Sequence, residues 1–127
     1  MVGIVVVSHS HDLARGLADL AGQVAGEAVP VEHAGGDTGG GLGTSEDRVL
    51  EALKRADQGS GVIVLGDLGS AFLTVRHVLT HRNGNPVRVV DAPLVEGAVA
   101  AAVAASAGYS LEDVAQAAEE TRGASKL

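Results

Sequence analysis

His9 closes the first apolar run of the chain, Gly3-Ile4-Val5-Val6-Val7-Ser8, and stands just before a helical pattern running from Asp12 to Val24. An imidazole there can act as a nucleophile or a proton carrier. The run is mostly β-branched and reads as a strand buried on both faces. A strand-to-helix junction of this kind lies at the carboxyl edge of a parallel sheet, where open α/β folds bind ligands. It also faces a helix N-terminus, which favours anions such as phosphate. A turn histidine without chemistry has the same local sequence.

Two further segments deliver polar groups to that edge. One is the glycine-rich stretch from Gly35 to Gly43, leading to Thr44 and Ser45. The other is Asp67-Leu68-Gly69-Ser70, after a second buried run. An imidazole, a carboxylate, hydroxyls and helix N-termini suit a phosphoryl group carried on histidine. Asp67 can accept a hydrogen bond from one ring nitrogen of His9, leaving the lone pair of the other free. Hydroxyls and backbone N–H groups of Ser10, Thr44, Gly69 and Ser70 then hold the phosphoryl oxygens. Phosphoryl transfer asks little more than positioning and charge stabilisation. Asp67, Thr44 and Ser70 each also fit a bare helix cap, Thr44 above all. The glycine stretch also fits a mobile linker. It is not a P-loop, because no Gly-Lys-Ser/Thr follows it.

The remaining histidines read differently. His11 rivals His9, but residues two apart face opposite ways on a strand. It belongs at the helix start, on the rim of the site together with Ser45. A metal pair is disfavoured, since no other ligands stand nearby. His33, His77 and His81 read as surface or loop residues, with His33 able to approach the site from the second strand. Arg76 and Arg82 read as solvated.

The elements that position these groups alternate. Strands are expected over 3–7, 28–33, 61–66 and 87–90. Helices are expected over 12–24 with Leu13, Leu17, Leu20 and Val24 inward, and over 46–56 after a Thr44–Asp47 capping box. Others start near Ser70, burying Phe72, Val75, Val78 and Leu79, and follow Pro93 (94–107) and Ser110 (111–121). Alternation with short crossovers gives an α/β fold: one open, mainly parallel sheet of about four strands with helices on both faces. The chain has 127 residues, enough for one domain spanning 1–127, with a frayed C-terminus.

Composition narrows the function. Sixteen acidic residues against nine basic give a net charge of −7, which argues against nucleic acid and fits a basic protein partner as well as simple solubility. One Phe, one Tyr and no Trp leave no stacking platform for bases. The absence of cysteine excludes disulfides and thiolate chemistry. The apolar start is too short for a signal peptide, so a cytoplasmic protein is expected. The terminal Ser125-Lys126-Leu127 matches a peroxisomal address in three residues only.

Val7-Ser8-His9-Ser10, Gly43-Thr44-Ser45, Gly66-Asp67-Leu68-Gly69-Ser70-Ala71 and Ala92-Pro93-Leu94-Val95-Glu96-Gly97-Ala98 occur in this order. Together they resemble the phosphotransferase subunit of bacterial phosphoenolpyruvate-dependent dihydroxyacetone kinase, itself similar to mannose-type IIA domains. The resemblance implies a cytoplasmic relay in which HPr passes a phosphoryl group to Nε2 of His9, oriented by Asp67, with Ser70 and Thr44 near the phosphoryl. It implies onward transfer to ADP on a separate ADP-binding subunit, so that Mg-ADP/ATP sits on the partner and this chain binds no cofactor or metal. It also implies a homodimer involving the helix after Pro93, whose Val95, Ala98, Val99, Ala102 and Val103 fit either a core or a dimer face. Some relatives continue into HPr-like and enzyme I-like domains; a chain of this length is expected to use separate proteins. A IIA component of a mannose-type sugar transporter is the alternative. A receiver phosphorylated on Asp67 lacks the acidic cluster it would need after the first strand, and a nucleotide-binding module lacks the P-loop lysine.

Overall fold

A computed structural model describes all 127 residues. Four strands, β1 (Gly3–Ser8), β2 (Val31–Gly35), β3 (Val62–Gly66) and β4 (Val87–Val89), form one sheet in the order β2-β1-β3-β4. Every neighbouring pair is parallel, as the alternating pattern requires. Helices α1 (His11–Ala25), α2 (Glu46–Ala56), α3 (Gly69–Thr80), α4 (Leu94–Ser106) and α5 (Leu111–Glu120) make the crossovers and the C-terminal layer.

The central strand β1 is buried along its whole length, and its side chains divide two cores by simple alternation. Ile4 and Val6 pack with α1, α4 and α5. Val5 and Val7 pack with α2 and α3. The path steps from β1 to β2 on one side, then returns past β1 to β3. Crossovers of one hand therefore put α1 and α2 on opposite faces. α1 and α3, which follow the adjacent strands β1 and β3, leave the sheet edge in opposite directions. A crevice opens between them at the topological switch point.

Several expectations need correction. Leu13, Leu20 and Val24 are not inward: they are 45, 48 and 42% exposed. Ala14, Ala18, Ala21 and Ala25 carry the contact instead, with Leu17 the only large residue of that stripe buried. Small residues let α1 lie close to the sheet and to the alanine-rich α4, which displaces the larger side chains to its flank. On α4, where a core face and a dimer face were both open, Ala98 and Ala102 are buried and Val95 and Val103 are exposed. In α3, Phe72 and Leu79 are only partly buried, and Ala71 joins Val75 and Val78 inside. β2 starts three residues later than expected and takes in Gly35, which pairs with Ser8. Its lack of a side chain is required: a Cβ there would stand 2.6 Å from the Ser10 carbonyl oxygen and 2.8 Å from the Ala14 methyl. Arg82 is not solvated; its side chain is 10% exposed and holds Asp57 at 3.1 Å.

Candidate active site

The site is assembled by register. Val7 of β1 lies opposite Gly66 of β3, so Ser8 and His9 emerge beside Asp67. The Asp67 N–H donates to the Val7 carbonyl at 3.1 Å. The same alternation that sends Val5 and Val7 toward α2 and α3 sends His9 toward α3, which carries Ser70.

Asp67 is the hub. One carboxylate oxygen, Oδ2, accepts from the Ser8 hydroxyl at 2.7 Å and the His9 amide at 2.9 Å. The other, Oδ1, accepts from His9 Nδ1 at 2.9 Å and from the Leu68 amide at 2.7 Å. Burial alone would raise this carboxyl. The bonds from the His9 amide, the Ser8 hydroxyl, the His9 ring and the Leu68 amide outweigh it and hold Asp67 below the ordinary carboxylate range. An ionised carboxylate facing Nδ1 takes that nitrogen's proton as a hydrogen bond. The lone pair of the neutral ring is then on Nε2.

Nε2 faces Ser70 Oγ at 2.6 Å, so the serine hydroxyl donates to that lone pair. Ser70 lies in the first turn of α3, and α3 has no side-chain cap. α1, α2 and α5 are capped by Ser10, Ser45 and Ser110. As the first two residues of α3, Gly69 and Ser70 carry amides with no intrahelical acceptor. An uncapped helix start beside a nucleophilic nitrogen provides free N–H groups and positive dipole charge for an incoming anion.

Two clefts are lined by residues that adjoin His9 and Ser70. One, of about 540 Å³, is lined by Asp67, Gly69, Phe72, Leu73, Arg76 and Asp91 among others. The other, of about 400 Å³, includes Ser10, His11, Gly41, Leu42 and Arg48. Leu42, Leu68 and Leu73 are exposed around them.

The residues expected from sequence are placed as follows. His9, Asp67 and Ser70 meet in one hydrogen-bonded chain. Gly69 offers its amide next to them. Ser10 uses its hydroxyl to cap α1, accepting from Leu13 N at 3.2 Å. Thr44 is not the cap of α2; Ser45 is, accepting from Arg48 N at 3.3 Å. With the cap one residue later, Arg48 takes the third helical position and the expected box closed by Asp47 does not form. Thr44 instead bonds Thr74 of α3 through the two hydroxyls, 2.7 Å apart. His11 begins α1, exposed, with its ring 5.6 Å from that of His33 on β2. Ser8 was missed. It is the only buried polar residue, and it joins Asp67 to the Ser10 amide, which donates to its hydroxyl at 3.0 Å. A serine directly before the histidine, at the end of a wholly buried strand, was the available signal.

Comparison with known proteins adds three findings. Residues 3–115 match the EIIA-man family model, described as PTS system fructose IIA component. Curated relatives include the phosphoryl donor subunit of PEP-dependent dihydroxyacetone kinase from Providencia stuartii, 36% identical over 94% of this chain and 26% of its own length. The corresponding subunit of kinase 1 from Listeria innocua is 37% identical over 79% of this chain and 78% of its own. The phosphotransferase subunit of the PTS-dependent kinase from Lactococcus lactis is 33% identical, covering 88% and 89%. This chain thus spans about a quarter of the length of the Providencia relative and most of the length of the other two. Among solved structures, a protein of unknown function superposes with a TM-score of 0.85 at 26% identity over 100% of this chain and 99% of its own. A phosphotransferase system component EIIA from Streptococcus agalactiae gives 0.70 at 18% identity over 96% and 92%.

Proposed function

This chain belongs to the EIIA-man family of PTS IIA components, and from that premise we propose that it is a phosphohistidine carrier of the dihydroxyacetone kinase type. The observation that carries the reading is the line Asp67–His9–Ser70, which leaves Nε2 as the nucleophile beside an uncapped helix start. In the forward half-reaction the Nε2 lone pair attacks phosphorus on the donor, HPr. The donor's N–P bond breaks and the Nε2–P bond forms. Nδ1 keeps its proton, so positive charge develops on the ring and Asp67 neutralises it. Ser70 Oγ turns from Nε2 to a phosphoryl oxygen, and the Gly69 and Ser70 amides bind the others.

In the second half-reaction a terminal oxygen of ADP, held with Mg²⁺ on the ADP-binding subunit, attacks phosphorus. The Nε2–P bond breaks and the neutral ring returns. Neither step needs a net proton transfer, a cofactor or a metal on this chain. The exposed Leu42, Leu68 and Leu73 give both protein partners an apolar contact around the imidazole. We further assign the homodimer face to the exposed apolar flanks of α1 and α4, namely Leu13, Leu20, Val24, Val95 and Val103. No helix is long and apolar enough to cross a membrane.

The same three groups have the hydrogen-bond order of a Ser-His-Asp hydrolase. That second reading makes Ser70 the covalent site, whereas the phosphocarrier reading makes it His9. Intact mass after incubation with phosphoenolpyruvate, enzyme I and HPr separates them. The phosphocarrier gains one acid-labile phosphoryl that is absent in His9→Ala and present in Ser70→Ala. An unmodified wild type, or an acid-stable adduct lost in Ser70→Ala, overturns the proposal.

A further inference from the structure

We infer that Asp37 is a positioning residue for His9, acting through the glycine-rich loop; the inference rests on the phosphocarrier reading for its consequence but not for its geometry. The loop is closed around the Asp37 side chain. Oδ1 accepts from the Gly39 amide at 2.9 Å and from the Gly41 amide at 2.8 Å. The Asp37 backbone adds two more bonds across the same turn, its N–H donating to the Gly41 carbonyl and its carbonyl accepting from Gly40 N, at 3.0 and 3.2 Å. The wrapping favours glycine: Gly40 has φ +87°, and a Cβ on Gly41 would crowd Asp37 Oδ2 at 3.1 Å.

The closed loop is fastened at its start to Ser8 and at its end to His9, the residue that carries the chemistry. At its start the Gly36 amide donates to the Ser8 carbonyl at 3.2 Å, and at its end the Gly43 amide donates to the His9 carbonyl at 2.9 Å. The His9 N–H is already held by Asp67. The His9 backbone is thus fixed on one side by a carboxylate and on the other by the loop. One residue further on, Thr44 ties the loop to Thr74 of α3, the helix that presents Ser70. A single loop therefore sets the nucleophile and its hydroxyl partner relative to each other. Displacing a reacting atom by about an ångström costs roughly a hundredfold in rate, so loosening this clamp has a kinetic cost far from the phosphorus itself.

Both amides go to the same oxygen, Oδ1, so asparagine retains the acceptor and places its NH₂ where Oδ2 stands. Alanine removes it. The test compares Asp37→Ala and Asp37→Asn with wild type in two measurements: the rate of His9 phosphorylation by phospho-HPr, and amide hydrogen exchange at Gly43, whose acceptor is His9. The inference expects Asp37→Ala to lose Gly43 protection and to be phosphorylated at least about tenfold more slowly. It expects Asp37→Asn to keep protection and to stay within about threefold of wild type, because the acceptor atom is conserved. Full Gly43 protection in Asp37→Ala overturns the inference, whatever the rate, because a slow but protected variant has lost a partner contact instead. Equal rates in Asp37→Ala and wild type, or equal defects in both variants, also overturn it. If wild type takes no phosphoryl, the carrier reading fails, and the clamp is decided by Gly43 protection alone.

Discussion

Asp67→Asn isolates the contribution of the carboxylate to the nucleophile. The substitution keeps the shape of the side chain but replaces one oxygen by a donor. Each oxygen of Asp67 now accepts two bonds: Ser8 Oγ and the His9 amide on Oδ2, His9 Nδ1 and the Leu68 amide on Oδ1. If the new NH₂ takes the Oδ1 position, it faces Nδ1–H and Leu68 N–H. The ring must then shift its proton to Nε2, which removes the attacking lone pair. If NH₂ takes the Oδ2 position, the ring keeps its tautomer, but the His9 amide loses its acceptor and the ring faces a neutral amide oxygen. A hydrogen bond to a charged group is worth about 1.5–3 kcal/mol, and 1.4 kcal/mol is a factor of ten. Losing the charged partner of Nδ1 therefore slows phosphorylation of His9 by roughly 10- to 100-fold. One backbone N–H is left unpaired in either orientation, which destabilises the fold by about 1–3 kcal/mol. The assay is quenched-flow phosphoryl transfer from phospho-HPr read by intact mass, with thermal melts alongside. A rate within twofold of wild type in a folded Asp67→Asn protein would refute the orienting role.

Other perturbations are read in the same way. The lowered carboxyl of Asp67 makes its stabilisation fully present above the ordinary carboxylate range and lost as pH falls through the lowered value; the wild-type advantage over Asp67→Asn in Tm should hold down to that range and shrink below it. His33 is lowered first by burial and then by repulsion from His11, against the pull of Glu32 and Asp19. A depressed histidine binds fewer protons folded than unfolded, so stability falls as pH drops below about 6.5; His11→Ala should move His33 upward in an NMR titration. Ser8→Ala leaves the Ser10 amide without its acceptor in a buried site and costs about 1–3 kcal/mol in denaturant melts. Gly35→Ala forces β2 away from α1, because the new methyl meets Ser10, His11 and Ala14 within 2.6–2.8 Å, and should lower Tm more than Gly22→Ala, which meets nothing within 4 Å.

The middle of the sheet was legible because β1 and β3 are continuous, mostly β-branched runs and fall where those runs do. The chemistry was legible for the same reason: a parallel sheet brings the residues after β1 and β3 together, so His9 and Asp67 could be paired from position alone. Which face of α1 turns inward was not legible, because alanines make the contact and the leucines that carry the periodic signal are displaced to the flank. Thr44 and Ser45 are both good caps, and the choice between them depends on Thr74, thirty residues away and invisible to local pattern. The glycine-rich stretch fitted a mobile linker as well as a site because composition does not show that Asp37 gathers its amides. Arg82 looked solvated because its partner, Asp57, lies across the fold.

The central claim is that Nε2 of His9 accepts the phosphoryl while Nδ1 keeps its proton on Asp67. Long-range ¹H–¹⁵N correlation of the histidine rings in the phosphorylated, ¹⁵N-labelled protein tests it directly. The account predicts ³¹P coupling at Nε2 of His9 alone, with His9 Nδ1 in the protonated range. Coupling at Nδ1 of His9, or at His11 or His33, would contradict it.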